Sequence, residues 1–251
     1  MFDYSSDGAL ATTVLSLLFP AAVLFFAYLV RGVAGFGSAL IAVPLLALSL
    51  PLTIVVPLIV FLDYVGSASQ GINNRDSIQW KEILPLLPFT LAGVIASLYV
   101  MDSVSPKMLS LALGGFVILF ALYQLLPLNL GKASREIAAP AGFCGGFVGT
   151  LFGTGGPFYV IYLNLRHLDK SAFRASFAAI FLIDGAMRLL GYALKGFYTL
   201  ELLSYLAMAV PVAGLGLFFG GRIHTALGRE TFVRIISVLL LGSGTALLMK
   251  G

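Results

Sequence analysis

Two glycine-rich stretches and a few ionisable residues inside apolar runs are the parts of this chain that could do chemistry. Gly149-Thr-Leu-Phe-Gly-Thr-Gly-Gly-Pro157 interrupts a long apolar stretch. Gly153, Gly155 and Gly156 break the helix before them, because glycine is poor in helices and tolerates positive φ. Pro157 suits the first turn of a new helix, where its missing N–H is no loss. A helix stop followed at once by a helix start leaves free backbone N–H groups, which is where anions bind. Inside a bilayer such a break is tolerated where protein buries it or where it lines a cavity. A tight glycine hairpin with no ligand is the alternative, since glycine also serves close helix packing in membranes. The same signal occurs earlier, as Gly32-Val-Ala-Gly35-Phe-Gly37-Ser38. The candidate anion site is therefore Gly35, Phe36, Gly37 and Ser38 together with Gly153, Thr154, Gly155, Gly156 and Pro157. Arg31, just before the first turn, is its candidate charged partner, with an interfacial arginine as the other reading.

Three more charges fall inside apolar segments: Asp63, Asp184 and Arg188. A charge at membrane depth costs at least about 2.5–3.5 kcal/mol, so such residues face a cavity or a partner. Ser67, Gln70 and Asn74 follow Asp63 at i+4, i+7 and i+11, which makes one polar stripe on a helix. Asp184 and Arg188 stand one turn apart and can pair. For that pair a structural ion pair is as good a reading as a functional one. Asp63 has only neutral polar neighbours on its own helix, so it is the expected proton carrier if protons are coupled to transport. His167 and His224 lie at segment ends near basic loops, and Trp80 and Tyr198 read as interfacial anchors. No Ser-His pairing, His-Glu cluster or second cysteine supplies an intramembrane enzyme, and no metal or other cofactor is expected.

The elements that must position these residues are apolar segments. Ala9 to Val30 is 22 residues long, enough to cross a bilayer, which takes about 20. The segments that follow are Ala39–Leu50, Leu52–Gly71, Ile83–Val100 and Met108–Leu126. After a polar linker the plan repeats as Ala138–Phe152, Pro157–Leu165, Ala172–Leu194, Leu200–Phe219 and Phe232–Met249. Gly35-Phe-Gly-Ser aligns with Gly153-Thr-Gly-Gly at an offset of 118, and Asp63 aligns with Asp184 at 121. Leu91-Ala-Gly93 aligns with Val212-Ala-Gly214, also at 121. The expected fold is thus an all-α integral membrane protein of 8–10 membrane segments, built as two inverted repeats of about five segments each. Residues 1–128 form the first repeat, 129–137 a cytoplasmic linker and 138–251 the second.

With 59% hydrophobic and 10% charged residues and a mean hydropathy of +1.01, the 251-residue chain is not a soluble domain. A net charge of +4, scattered along the chain, makes no nucleic-acid patch. The acidic amino terminus lacks the basic start of a signal peptide and is expected outside. Eleven of the 15 basic residues, Arg31 among them, then fall at cytoplasmic ends, with Lys107, Lys195 and Lys250 outside and Arg188 within a span. Arg75 and Lys81 lie inside while Lys195, in the matching loop, lies outside, as opposed repeats require.

The two glycine-rich hairpins, the Ala-Val-Pro44-Leu-Leu after the first, and the duplicated length resemble the TauE/SafE sulfite exporter family. The chain departs from the family's Gly-x-Gly-Gly in its first half, where Ser38 stands for the last glycine. The resemblance implies a multi-pass carrier of the bacterial inner membrane, in contact with lipid, for sulfite or a small organosulfonate anion. Interrupted spans in matching places of two repeats point independently to a secondary transporter. An anion channel and, further off, an intramembrane enzyme are the alternatives, and proton coupling is an open possibility.

Overall fold

The computed structural model describes residues 4–34, 37–70, 75–125, 134–223 and 229–250, and Gly35, Phe36, Asn74 and His224 lie outside them. Among the described residues there are eleven α-helices and no strand. The first is α1, Tyr4–Ala34. Gly37, at φ 97°, turns the chain into α2, Ser38–Leu46. Pro51 restarts it as α3, Leu52–Gln70. The expected fourth segment divides into a single turn, α4, Trp80–Ile83, and α5, Leu87–Ser103. Pro85 and Pro88 account for the division, because neither carries an N–H to continue a helix. Pro106 opens α6, Pro106–Leu125.

The second half begins with α7, Ala138–Phe152, which stops at Gly153 with φ 72°. Pro157 sits in the first turn of α8, Gly156–Leu165. Asp169 caps α9, Lys170–Leu194, by accepting from the N–H groups of Ser171 and Ala172 at 2.9 Å each. Thr199 caps α10, Leu200–Arg222, by accepting from Leu202 N–H at 3.3 Å. The last helix is α11, Arg229–Lys250. Helices α6, α9 and α10 are long and apolar enough to cross a membrane, with shorter apolar helices over Leu18–Val33, Leu52–Ala68, Leu87–Ser103 and Ile236–Lys250.

The helices pair in a two-fold pattern. Helix α1 packs along α10 as α7 packs along α5. The pair α1–α2 has its counterpart in α7–α8, α2–α3 in α8–α9, and α3–α10 in α9–α5. Helices α3 and α9 meet each other, as do α6 and α11. Glycine allows the two long pairings. A Cβ on Gly220 would lie 2.2 Å from Leu29 O, and one on Gly146 would lie 2.2 Å from Thr90 O, so backbone touches backbone. Where side chains are this small, helix axes come close enough for dispersion to hold them without a hydrophobic drive. Gly93 faces Phe143 and Phe147, while Gly216 faces Phe25 and Leu29, which match those residues at the offset of 118. Gly93 is therefore matched by Gly216 rather than by Gly214, which has nothing within 4 Å.

Candidate functional site

The first broken helix carries a buried ion pair. Arg31, near the end of α1, is 3% exposed and reaches Asp63 of α3 at 2.6 Å. Its Nη1 also donates to Ser38 Oγ at 3.0 Å, and its Nη2 donates to Asp63 O at 3.0 Å and Ser67 Oγ at 2.7 Å. Asp63 Oδ1 further accepts from Ser38 Oγ at 2.7 Å and from Tyr28 OH at 2.6 Å. Arg31 is buried and paired within the protein, and Asp63, whose polar neighbours on its own helix are neutral, has a cation beside it that comes from another helix. Ser38, the departure from glycine at the start of α2, supplies the hydroxyl that ties the two charges to that start. The sequence reading missed Tyr28, whose one signal was a phenol within an apolar helix.

The second broken helix carries the other pair. Asp184 and Arg188 on α9 join through Nε to Oδ1 at 3.0 Å and through Nη2 to Oδ2, and Asp184 is fully buried. Arg188 Nη1 donates to Gly149 O at 3.1 Å, and Tyr192 OH donates to Thr150 O at 2.6 Å. A helix end buried in protein is thus satisfied by side chains of α9. The guanidinium fits because position 149 is glycine, where a Cβ would stand 2.7 Å from Arg188 Cζ. Around the turn, the hydroxyls of Thr150 and Thr154 are buried without a hydrogen-bond partner among the described residues. The N–H groups of Thr154, Gly155 and Gly156 also find no partner among the described residues. Gly155 is nevertheless not an open approach to the backbone, since its Cβ would meet Gly145 O at 2.2 Å. Gly156 lies against the ring of Phe181, and Gly153 against Ala39 and Val43 of α2. At the other turn, a Cβ on Gly37 would meet nothing within 4 Å among the described residues.

The two pairs adjoin one small cavity between α3 and α9. Val60, Asp63 and Tyr64 line it from α3, and Phe181, Gly185 and Arg188 from α9. The 121-residue offset matches Val60 to Phe181 and Tyr64 to Gly185, so positions matched by that offset face the cavity from both helices. It leaves about 10 Å³ for the centre of a water molecule, room for about one water.

Other candidates lie elsewhere. His167 ends α8 in a left-handed turn at φ 51°, Trp80 is exposed, and Tyr198 sits edge-on to Phe61. A third ionic cluster, which the sequence reading also missed, centres on Glu82 of α4. Its carboxylate accepts from Arg135 at 3.0 Å, Arg166 at 2.9 Å and Tyr162 OH at 3.1 Å. Burial pushes the Glu82 pKa up, but the hydrogen bonds from Arg166, Arg135 and Tyr162 outweigh it and hold the group below the usual carboxylate value.

The chain is similar to the probable inner membrane transporter protein TsaS of Comamonas testosteroni, at 25% identity over 198 residues that cover 76% of this chain and 81% of that protein. No solved structure matches. The family described as Sulfite exporter TauE/SafE matches residues 20–247, a span that holds both broken helices, both buried ion pairs and the cavity between them. The chain belongs to the sulfite exporter TauE/SafE family.

Proposed function

We propose that this protein is a secondary transporter that moves sulfite or a small sulfur-containing organic anion across the inner membrane, binding it between the two glycine-rich helix breaks. One observation carries the reading. The two interrupted helix pairs have equivalent places in a two-fold pattern of packing, and they come together where the halves meet, with Gly153 against α2. A carrier needs its site there, so that either half can close over the anion from its own side. The start of α8 supplies uncommitted N–H groups and the buried Thr154 hydroxyl. A helix start favours negative charge by about 0.3–1 kcal/mol when exposed and more when buried. The name of the TsaS relative supports the membrane and the transport.

The two repeats, residues 1–128 and 138–251, run in opposite directions on either side of the linker 129–137, with the amino terminus outside. Contacts at the two ends of the bundle support this. Glu82, Arg135 and Arg166, all assigned inside by charge, share one cluster. Lys195 pairs with Asp102, both assigned outside. An inside-negative potential favours export of an anion by about 2.3 kcal/mol per charge per 100 mV, so protons are needed only for uptake. Asp63 is the carboxylate through which they would couple.

The test is flux in vesicles reconstituted with the purified protein, using isotopically labelled sulfite, thiosulfate and methanesulfonate in turn. Saturable uptake that is accelerated by the same anion loaded on the far side is the expected result. Saturation without that acceleration would identify a channel, and no flux of any of the three would reject the substrate class.

A further inference from the structure

The transported anion and a proton share the cavity between α3 and α9: we infer that Arg188 holds the anion there and that the free oxygen of Asp63 takes up the proton that accompanies it. The inference rests on the transporter reading above and places the anion beside the second glycine-rich break, which Arg188 reaches at Gly149 O and Phe181 reaches at Gly156.

Donor accounting separates the two buried arginines. A guanidinium has five N–H groups. The Nη groups of Arg31 are spent on Ser38 Oγ, both Asp63 oxygens named above and Ser67 Oγ, and its Nε is buried without a partner. Arg31 is a clamp. Arg188 spends Nε and one Nη2 proton on Asp184 and one Nη1 proton on Gly149 O. Among the described residues two N–H groups stay uncommitted, one on each Nη, and Arg188 lines the cavity. Two donors on one guanidinium can grip a tetrahedral or pyramidal oxyanion.

The carboxylates separate in the same way. Asp184 is wholly buried and sits behind Arg188. Asp63 lines the cavity, its side chain is 11% exposed, and every bond made to its carboxylate goes to Oδ1. No donor among the described residues reaches Oδ2. An anion brought to Arg188 would therefore meet a second negative oxygen across a cavity with room for about one water. Protonating Oδ2 removes that repulsion and turns the oxygen into a donor toward the anion. The step is an acid–base equilibrium, carboxylate plus proton giving carboxylic acid, reversed when the anion leaves. The groups that face Asp63 are Tyr28 and Arg31 from α1, Ser38 from α2, Tyr64 on its own helix and Arg188, backed by Asp184, from α9. From α10, Leu217 lies at Gly66 on this stretch of α3. The space must widen to admit an oxyanion, which calls for α3 and α9 to separate at Phe181 and Tyr64.

Methanesulfonate keeps one charge between pH 5 and 8, so its binding to the purified protein, followed by calorimetry, reports the protein's own titration. In the parent, the dissociation constant is expected to rise with pH, approaching tenfold per unit as the limit for one linked proton. Asp63→Asn should bind at all pH values with no such slope. Asp184→Asn combined with Arg188→Gln neutralises the second pair as a unit and should lose binding at least tenfold while keeping a cooperative melt. A fluorescence readout guards against misfolding of that variant. Trp80 is the single tryptophan, so Trp80→Phe with Phe181→Trp places the reporter in the cavity wall. Its emission should change saturably with methanesulfonate at pH 5.5. Parent-like slopes in Asp63→Asn, or binding that leaves the cavity tryptophan unmoved, would overturn the assignment while the transporter reading stood. A parent that binds none of methanesulfonate, thiosulfate and sulfite would overturn both.

Discussion

Arg31 and Arg188 do not align with each other, yet each pairs with one of two aspartates, Asp63 and Asp184, that stand 121 residues apart. At the offset of 118, Arg31 aligns with Gly149, and at 121, Ser67 aligns with Arg188. Each arginine thus points at the small residue that stands where the other half keeps its own arginine: Ser67 Oγ lies 2.7 Å from Arg31, and Gly149 O lies 3.1 Å from Arg188. Removing one member of a buried pair costs about 3–5 kcal/mol, because the other charge is left uncompensated. Arg31→Gly is expected to lower the melting temperature in detergent by roughly 6–20 °C, at about 2–4 °C per kcal/mol for a chain of this size. Ser67→Arg added to it rebuilds the arrangement of the second half and should recover at least half of the loss. A double variant that melts no higher than Arg31→Gly would refute the equivalence. The pair Asp184–Arg188 was legible because i,i+4 on one helix is a local rule. The pair Arg31–Asp63 was not, because 32 residues separate partners that meet only once the helices α1, α2, α3 and α10 have packed together.

At the scale of elements, hydropathy and glycine breaks located the segments well. Helix α7 spans the expected Ala138–Phe152, and the starts of α3 and α10 fall at the expected Leu52 and Leu200. The apolar signal did not separate α4 from α5, since Leu84, Leu86 and Leu87 carry it straight through the two prolines. Nor could it say which glycines are packed. Gly93 and Gly214 look alike in sequence, each after an alanine, but a Cβ on Gly93 would stand 2.3 Å from Phe143 O and one on Gly214 would meet nothing within 4 Å. Gly93→Ala is therefore expected to force α5 from α7 and cost about 1–3 kcal/mol, as overpacking does. Gly214→Ala should be neutral or gain up to about 1 kcal/mol from lower backbone entropy in the unfolded chain. Thermal unfolding of the two variants decides it, and equal shifts would show that the helix contact at Gly93 is wrongly described.

At the scale of the whole molecule, the clusters at the two ends bind the halves together. Glu82, from the first half, is gripped by Arg166 and Tyr162 of the second and by Arg135 between them. Its depressed pKa means that this stabilisation is complete above the ordinary carboxylate pKa and is lost as pH falls through the lower folded value. The melting temperature of the parent should drop on acidification below about pH 4, and Glu82→Gln, already without the charge, should lose less over the same range. Parallel acid profiles would remove Glu82 from the account. The same cluster bears on how the halves are oriented. If the repeats are inverted, Asp76, Ser134 and Glu82 share one side of the membrane, while Ser103 and Lys195 share the other. In a Cys144→Ser background, Asp76→Cys and Ser134→Cys should resist a membrane-impermeant thiol reagent applied from the periplasm, and Ser103→Cys and Lys195→Cys should react. Permeabilised membranes, in which all four should label, control for burial. Equal protection of Asp76→Cys and Lys195→Cys in sealed cells, with both reactive after permeabilisation, would mean that the two halves point the same way.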